Sequence, residues 1–297
     1  MTRVAVTGGS GKLGRAVVRD LLAHGYQVVN LDRVSSPDTH PENYSFTRID
    51  FTDFGQTFEA LHAIDDRYDA IDAVVHLAAI PAPGLTANAA TFTNNLTSTH
   101  HVFSAARAVG IRSIVWASSE TVLGLPFTPA DPPPYLPVDE DYPPRPNSSY
   151  SLAKTLEEEM ARQFCRWEPD LTMIGLRFSN VMYPEDYDAF PEFDTDPSLR
   201  QWNAWGYIDA RDGAQAVRLA LAVDTPGVQV FVIANSDTVM QRSSAELAAA
   251  VFPDVEVRSD LGEHETLLSI DKARRVLGFE PQYSWRSERQ LNAGPTG

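Results

Sequence analysis

Residues 1–32 constrain the fold more than any other stretch. A short β-branched run, Arg3–Thr7, ends in Thr7-Gly8-Gly9-Ser10-Gly11-Lys12-Leu13-Gly14. The chain then places Leu13, Val17, Val18, Leu21 and Leu22 at helical spacing. A second strand-like run at 27–31 closes on Asp32. Gly8, Gly11 and Gly14 fall in a G-x-x-G-x-x-G spacing at the strand-to-helix turn. Glycines there let the backbone bend tightly and approach a pyrophosphate, whose charge the helix amino terminus meets. Asp32, the acid that ends the next strand, is suited to accept hydrogen bonds from an adenosine ribose. The expected cofactor contacts in this stretch are therefore Gly8, Ser10, Gly11, Lys12, Leu13, Gly14, Asp32 and Arg33. A carboxylate at Asp32 disfavours a 2′-phosphate and points to NAD, while Arg33 beside it leaves NADP open.

Three further apolar runs, at 73–77, 113–117 and 172–176, read as buried strands. Helical segments lie around them at 54–63, 93–109 and 151–167. Strands alternating with helices at this rhythm predict an α/β fold, a Rossmann-type doubly wound parallel sheet. After about residue 178 the pattern loosens. Residues 183–196 carry prolines, aromatics and six acids, and read as an irregular, solvated loop over a site. Helices are expected again at 211–222, 243–251 and 270–277, with a strand at 228–233. The expected division is a cofactor-binding domain over 1–177, to which 207–235 returns, and a small discontinuous C-terminal substrate region over 178–206 and 236–297. Nine prolines in residues 126–146 predict a stiff, ordered loop.

Composition narrows the function. A formal charge of -16 repels phosphate backbones and anionic membranes, so neither nucleic acid nor membrane is an expected partner. The single cysteine, Cys165, excludes an internal disulfide framework and a cysteine-rich zinc site, and it reads as a packed thiol. No metal site is expected, and His76, His100 and His101 read as structural. The first residues lack a basic region followed by a long apolar run, and no stretch of about 18 apolar residues occurs, so a cytoplasmic location is expected. Only Lys12, Lys154 and Lys272 are lysine, so each one draws notice.

One of the three stands in Tyr150-Ser151-Leu152-Ala153-Lys154. An i,i+4 pair shares one helix face. Free tyrosine ionises near pH ~10, too high for a base at neutral pH, and a neighbouring ammonium lowers that value. Ser118 and Ser119 end the strand at 113–117, where substrates of doubly wound folds lie. A hydroxyl there can hydrogen-bond an oxygen that gains or loses charge. Glu157-Glu158-Glu159 reads as a solvated helix face, and Leu152, Leu156, Met160 and Phe164 as an apolar stripe. Trp202 and Trp205 read as either core or a sugar platform.

These stretches together resemble the extended short-chain dehydrogenase/reductases, the NAD-dependent epimerase/dehydratase superfamily. The likeness runs through TGGSGKLG at 7–14, RIDFTD at 48–53, HLAA at 76–79, FTNNLTST at 92–99 and ASSETVLG at 117–124. It continues through YSLAK at 150–154, LRFSNVMYP at 176–184, YIDARDGAQA at 207–216 and LGFEP at 277–281. The resemblance implies Tyr150 as acid/base, Lys154 as its partner and a holder of the nicotinamide ribose, and Ser119 as the orienting hydroxyl. It further implies cofactor contacts at Asp50, Phe51, Leu77, Ala78, Ala79, Ser118, Asn180 and Val181. Asn95, placed with them, corresponds to the asparagine that supports the active-site backbone. Glu120, Thr121 and Arg177 are the expected substrate contacts. A homodimer paired through the helices near 93–109 and 151–167 is implied as well.

Two departures bear on the substrate. Leu123 replaces the usual tyrosine before Gly124, and the stretch between Asn180 and Tyr207 is short, where nucleotide-sugar members carry a longer segment that grips a diphosphate. That short layout is similar to compact free-sugar dehydrogenases of the uronate type, although Glu120-Thr121 stands where those enzymes carry Asn-His. The expectation is an NAD(P)-dependent oxidoreductase that moves a hydride between nicotinamide and a small hydroxyl or carbonyl substrate such as a free sugar. The alternative is a nucleotide-sugar epimerase or dehydratase that uses tightly bound NAD internally.

Overall fold

A computed structural model describes residues 2–38, 41–64, 67–68 and 70–288 of the chain. The β-branched runs become strands and the helix-spaced segments pack between them. In chain order the chain forms β1 (Arg3–Thr7), α1 (Lys12–Ala23), β2 (Gln27–Asp32), β3 (Tyr44–Arg48), α2 (Phe54–His62) and β4 (Ala73–His76). It continues with α3 (Asn88–Val109), β5 (Ser113–Ser119), β6 (Tyr135–Leu136), α4 (Ser149–Trp167), β7 (Thr172–Phe178) and β8 (Val181–Met182). The remainder is α5 (Phe190–Phe193), β9 (Ile208–Asp209), α6 (Ala210–Leu221), β10 (Gly227–Ile233), α7 (Ser244–Val251), β11 (Glu256–Val257) and α8 (Asp271–Leu277).

Seven strands form one parallel sheet in the order β10-β7-β5-β4-β1-β2-β3. β1 lies parallel to both β2 and β4, and β4 to β5. Thr172 donates its N–H to the Arg112 carbonyl, and Gly227 to that of Leu171, so β5, β7 and β10 start side by side. The strand order reverses between β1 and β4, the doubly wound arrangement expected from the sequence. Strand β3 is an addition to that expectation. Its YSFTR sequence sits half-buried at the sheet edge, where no long apolar run is needed.

Among the described residues the chain divides into two compact units. The first comprises Met1–Ser119, Ser148–Leu176 and Ala214–Val230. Its core gathers Trp116 of β5, Phe103 of α3 and Phe164 of α4 in edge-to-face pairs, with ring centroids 5.7 and 5.8 Å apart. Burying each such ring contributes about 2–3 kcal/mol. Gly175 makes room for the indole, since a Cβ there would lie 2.6 Å from Trp116 Cζ2.

The second unit comprises Glu120–Asn147, Arg177–Gly213 and Phe231–Gly297. The proline-rich segment at 126–146 thus packs with this unit, although the sequence division kept it with the first. Phe190, Tyr207 and Trp285 form its aromatic centre, and the Tyr207 hydroxyl donates to Asp237 at 2.7 Å. The chain leaves the first unit after Ser119, Leu176 and Val230, at the end of β5 and part-way along β7 and β10. No helix among the described residues is long and apolar enough to cross a membrane.

Candidate active site

The glycine turn after β1 is fixed by close approach. Gly8 takes a left-handed φ of +70°, and a Cβ on it would lie 2.7 Å from the Ala78 backbone nitrogen. A Cβ on Gly14 would lie 2.1 Å from the Gly8 carbonyl oxygen. α1 opens on Gly11 with no side-chain cap and no acid in its first turn, so nothing within the helix offsets the positive end of its dipole. The Asp32 carboxylate accepts the N–H groups of Ser10 at 3.0 Å and Arg33 at 2.6 Å, which hold it at the end of β2. Arg33 donates to Asp50 at 2.8 Å, and this hydrogen bond, with that from Thr52, pulls the Asp50 carboxyl down to about 2. The Arg33 charge is therefore already met by a carboxylate, an arrangement that suits NAD better than a 2′-phosphate. Lys12 is exposed, Leu13 half-buried and Phe51 buried.

Leu77 and Ala78 each donate an N–H to Thr7 Oγ1 at 3.1 Å, which lays the loop after β4 against the glycine turn. Asn95 is fully buried and spends both ends of its amide on Ile80, accepting its N–H at 2.8 Å and donating to its carbonyl at 3.0 Å. It braces the loop that contains Ala79 and is committed there instead of being offered to a cofactor.

The two serines that end β5 alternate across the sheet. The Ser118 hydroxyl donates to Glu158 of α4 at 2.6 Å and is thereby committed to the interior; Ser119 is the strand-end hydroxyl. Ser148 starts α4 through a reciprocal cap with Ser151, with bonds of 3.0 and 2.9 Å, and this cap sets Tyr150 in the first turn. One turn on, the buried Lys154 ammonium donates to the Ala117 carbonyl at 2.8 Å and to Glu157 Oε2 at 2.9 Å. The first contact binds the start of α4 to the end of β5, so Ser119, Tyr150 and Lys154 share one end of the sheet. Burial alone would lower the Lys154 pKa, but Glu157 and Tyr150 outweigh it and hold the value above that of an ordinary lysine.

The expectation for Glu157-Glu158-Glu159 needs correction. Only Glu159 faces solvent; Glu157 and Glu158 are fully buried because Lys154 and Ser118 supply their hydrogen bonds. The i,i+3 spacing to Lys154 was the available signal. The apolar stripe also divides, with Leu152 and Leu156 exposed at 41% and 38% while Phe164 is buried.

The remaining expected residues belong to the second unit. Glu120 is buried, accepts from Asn203 at 3.2 Å, and is pushed by burial up to about 7 against the pull of Ser179 and Asn203. Its carboxyl is thus engaged within the protein, and Thr121 is half-buried beside it. Arg177 is buried, and the carboxylate within its electrostatic reach is Glu140 of the same unit. Asn180 and Val181 lead into β8, and Asn180 accepts the Ile208 N–H at 3.0 Å. The acidic segment is ordered as short turns. Asp186 and Asp196 accept backbone N–H groups within it, Asp194 accepts that of Gln241, and Glu185, Asp188 and Glu192 are exposed. Its acids therefore cap turns or meet water. Trp205 is core, packed on Phe252, and Trp202 lies under the Arg200 guanidinium at 5.2 Å.

His76 bonds Thr7 and Thr99, and His101 donates to the Phe51 carbonyl at 2.9 Å. Burial pushes the Cys165 thiol up to about 11, which leaves it unreactive at neutral pH.

Comparison with known proteins bears directly on this arrangement. The family model for the NAD dependent epimerase/dehydratase family matches residues 4–234. A UDP-glucose 4-epimerase of Mus musculus is 31% identical over 195 residues, which cover 61% of this chain and 54% of that protein. The chain thus spans about half the length of the curated relatives it matches. A solved UDP-galactose 4-epimerase is 25% identical with a TM-score of 0.68, covering 99% of this chain and all of that one. A mutated uronate dehydrogenase shares the fold at 19% identity and a TM-score of 0.66, covering 100% of this chain and 87% of that one. The relatives thus favour the epimerase alternative over the free-sugar dehydrogenase expectation. On its sequence, sheet and glycine turn alike, the chain belongs to the NAD dependent epimerase/dehydratase family, enzymes of the extended short-chain dehydrogenase/reductase type with NAD as cofactor.

Proposed function

We propose that this chain is a nucleotide-sugar epimerase or dehydratase that oxidises a sugar carbon transiently and restores its NAD within each cycle. The observation that carries the chemistry is the Lys154 ammonium, held on the Ala117 carbonyl and acting electrostatically on Tyr150 at the end of β5. The likeness to UDP-glucose 4-epimerases supports the substrate class.

The residues present fit NAD. Gly8 and Gly14 let the turn close against the Ala78 backbone and against itself, the tight bend that a pyrophosphate approach needs. The start of α1 would meet the pyrophosphate charge, and Asp32 would receive the adenosine ribose. Gly11, Ser10, Lys12 and Leu13 complete the turn; Asp50 and Phe51 would border the adenine, and the Leu77–Ala79 backbone would lie along the cofactor. Bound NAD supplies the hydride acceptor. Tyr150 takes the proton from the substrate hydroxyl as that carbon is oxidised and returns it on reduction. Lys154 stabilises the phenolate, and Ser119 donates to the same substrate oxygen. The exposed Leu152 and Leu156 on α4 support a homodimer through this helix, and a single cysteine is compatible with a reducing cytoplasm.

One observation favours net oxidation of a free sugar as a second reading. The short stretch between Asn180 and Tyr207 forms turns and the single-turn helix α5, a small frame for gripping a diphosphate. Incubation of the purified protein with NAD and either UDP-sugars or free aldoses and uronates separates the two. Conversion of the UDP-sugar without net NADH supports the proposal. Stoichiometric NADH from a free sugar, with UDP-sugars untouched, replaces it with the second reading.

A further inference from the structure

A chain of buried polar side chains runs from the glycine turn to Lys154, all within the first unit. Thr7 Oγ1 accepts the N–H groups of Leu77 and Ala78 at 3.1 Å each, so its own proton goes to His76 Nδ1 at 2.7 Å. Burial, with the nearby Lys154 charge, pulls His76 down to about 3 and keeps it neutral. Its single ring proton then sits on Nε2 and is donated to Thr99 Oγ1 at 3.1 Å. Burial pushes the Glu157 carboxyl above the ordinary carboxylate range, against the pull of the Lys154 ammonium and, less strongly, of Thr99. From the other side Lys154 donates to Glu157 Oε2 at 2.9 Å. The donors run from Thr7 through His76 to Thr99, and the Glu157 carboxylate, which only accepts, takes the ammonium of Lys154.

We propose that Glu157 is a positioning residue of this site. It holds Lys154 charged and seated on the Ala117 carbonyl. The part Lys154 plays rests on the function proposed above; the relation between Glu157 and Lys154 does not. The titratable groups facing Lys154 are Tyr150, Glu157 and Glu158 on α4 and His76 from β4, with Thr99 of α3 and the Ala117 carbonyl of β5 completing its surroundings. Among these, Glu157 contributes most to keeping it charged.

Glu157→Gln keeps the shape and one acceptor oxygen while removing the charge. Because the chain has only three lysines, side-chain 13C and 15N spectra of lysine-labelled protein resolve Lys154, with Lys154→Arg assigning its signal. In Glu157→Gln the Lys154 midpoint is expected to fall by about one pH unit or more. The rate profile then gains a basic limb at that lower midpoint, with KM little changed. Glu159→Gln, exposed on the same helix, moves neither. Should Glu157→Gln fail to fold, Glu157→Asp withdraws the carboxylate by one methylene and lowers the midpoint by less. An unchanged midpoint in either variant overturns the proposal. A native protein that turns over no sugar, while the midpoint still falls in Glu157→Gln, supports the Glu157 assignment and overturns the functional reading.

Discussion

Two acid-rich stretches of this chain meet opposite fates. On α4, Glu157 and Glu158 enter the core of the first unit; between Asn180 and Tyr207, six carboxylates cap turns or face water. The difference lies in the donors that other elements bring. Lys154 and Ser118 reach the two buried glutamates at 2.9 and 2.6 Å, whereas Asp186, Asp194 and Asp196 accept backbone N–H groups at turns. Such partners lower the cost of taking a carboxylate out of water. Position in the sequence does not decide the matter; the neighbours delivered by the fold do.

The largest expected effect strands one of the buried acids. Lys154→Met leaves Glu157 buried without its cation and costs about 3–5 kcal/mol at neutral pH. Urea unfolding would reveal this loss, and it should shrink as the pH falls and Glu157 takes up a proton. A Lys154→Met protein as stable as the native one would remove the distinction between the two stretches.

Glu120 sharpens the comparison, being a buried acid of the second unit whose partners do not compensate for burial. Its folded value of about 7 lies above the ordinary 4.5, so the folded state binds its proton more tightly than the unfolded chain does. The resulting penalty is absent below about pH 4.5, grows between 4.5 and 7, and is constant above. Glu120→Gln should therefore be stabilising above pH 7, by up to about 3 kcal/mol, and near neutral at pH 4. Thermal unfolding across that range measures it. A stability difference independent of pH would show that its partners fully offset its burial and leave its pKa at the unfolded value.

The smallest effects belong to the turn segment. Asp194→Ala removes the acceptor of the Gln241 N–H and costs about 1 kcal/mol, while Glu185→Gln stays within about 0.5 kcal/mol. Neither should alter NAD affinity in a direct binding titration. A loss of several kcal/mol from either would mean that the segment's acids resemble those of α4 after all.

The contrast also explains what could be read in the sequence. The glycine turn, Asp32 at the end of β2, and the i,i+4 spacing of Tyr150 and Lys154 are local relations, set by strand and helix geometry within a few residues. The doubly wound parallel class of the sheet followed from the alternation of strand-like and helical runs. Burial of Glu158 was not legible, because its donor is a distant strand end, Ser118, whereas Glu157 carried a local signal in its i,i+3 spacing to Lys154. Strand β3 was missed because an edge strand needs no continuous apolar run, although Tyr44 and Phe46 alternating with Ser45 and Thr47 carried the signal. Glu120 and Arg177, read as substrate contacts, are buried among polar residues of their own unit, a placement set by tertiary packing.

The central claim is that Tyr150, supported by Lys154, moves the proton that accompanies hydride transfer. Tyr150→Phe tests it most directly, with NAD binding and unfolding measured beside turnover of a UDP-sugar. The account predicts unchanged NAD affinity and stability with turnover reduced about 100-fold or more. Turnover close to that of the native protein, with cofactor still bound, would contradict it.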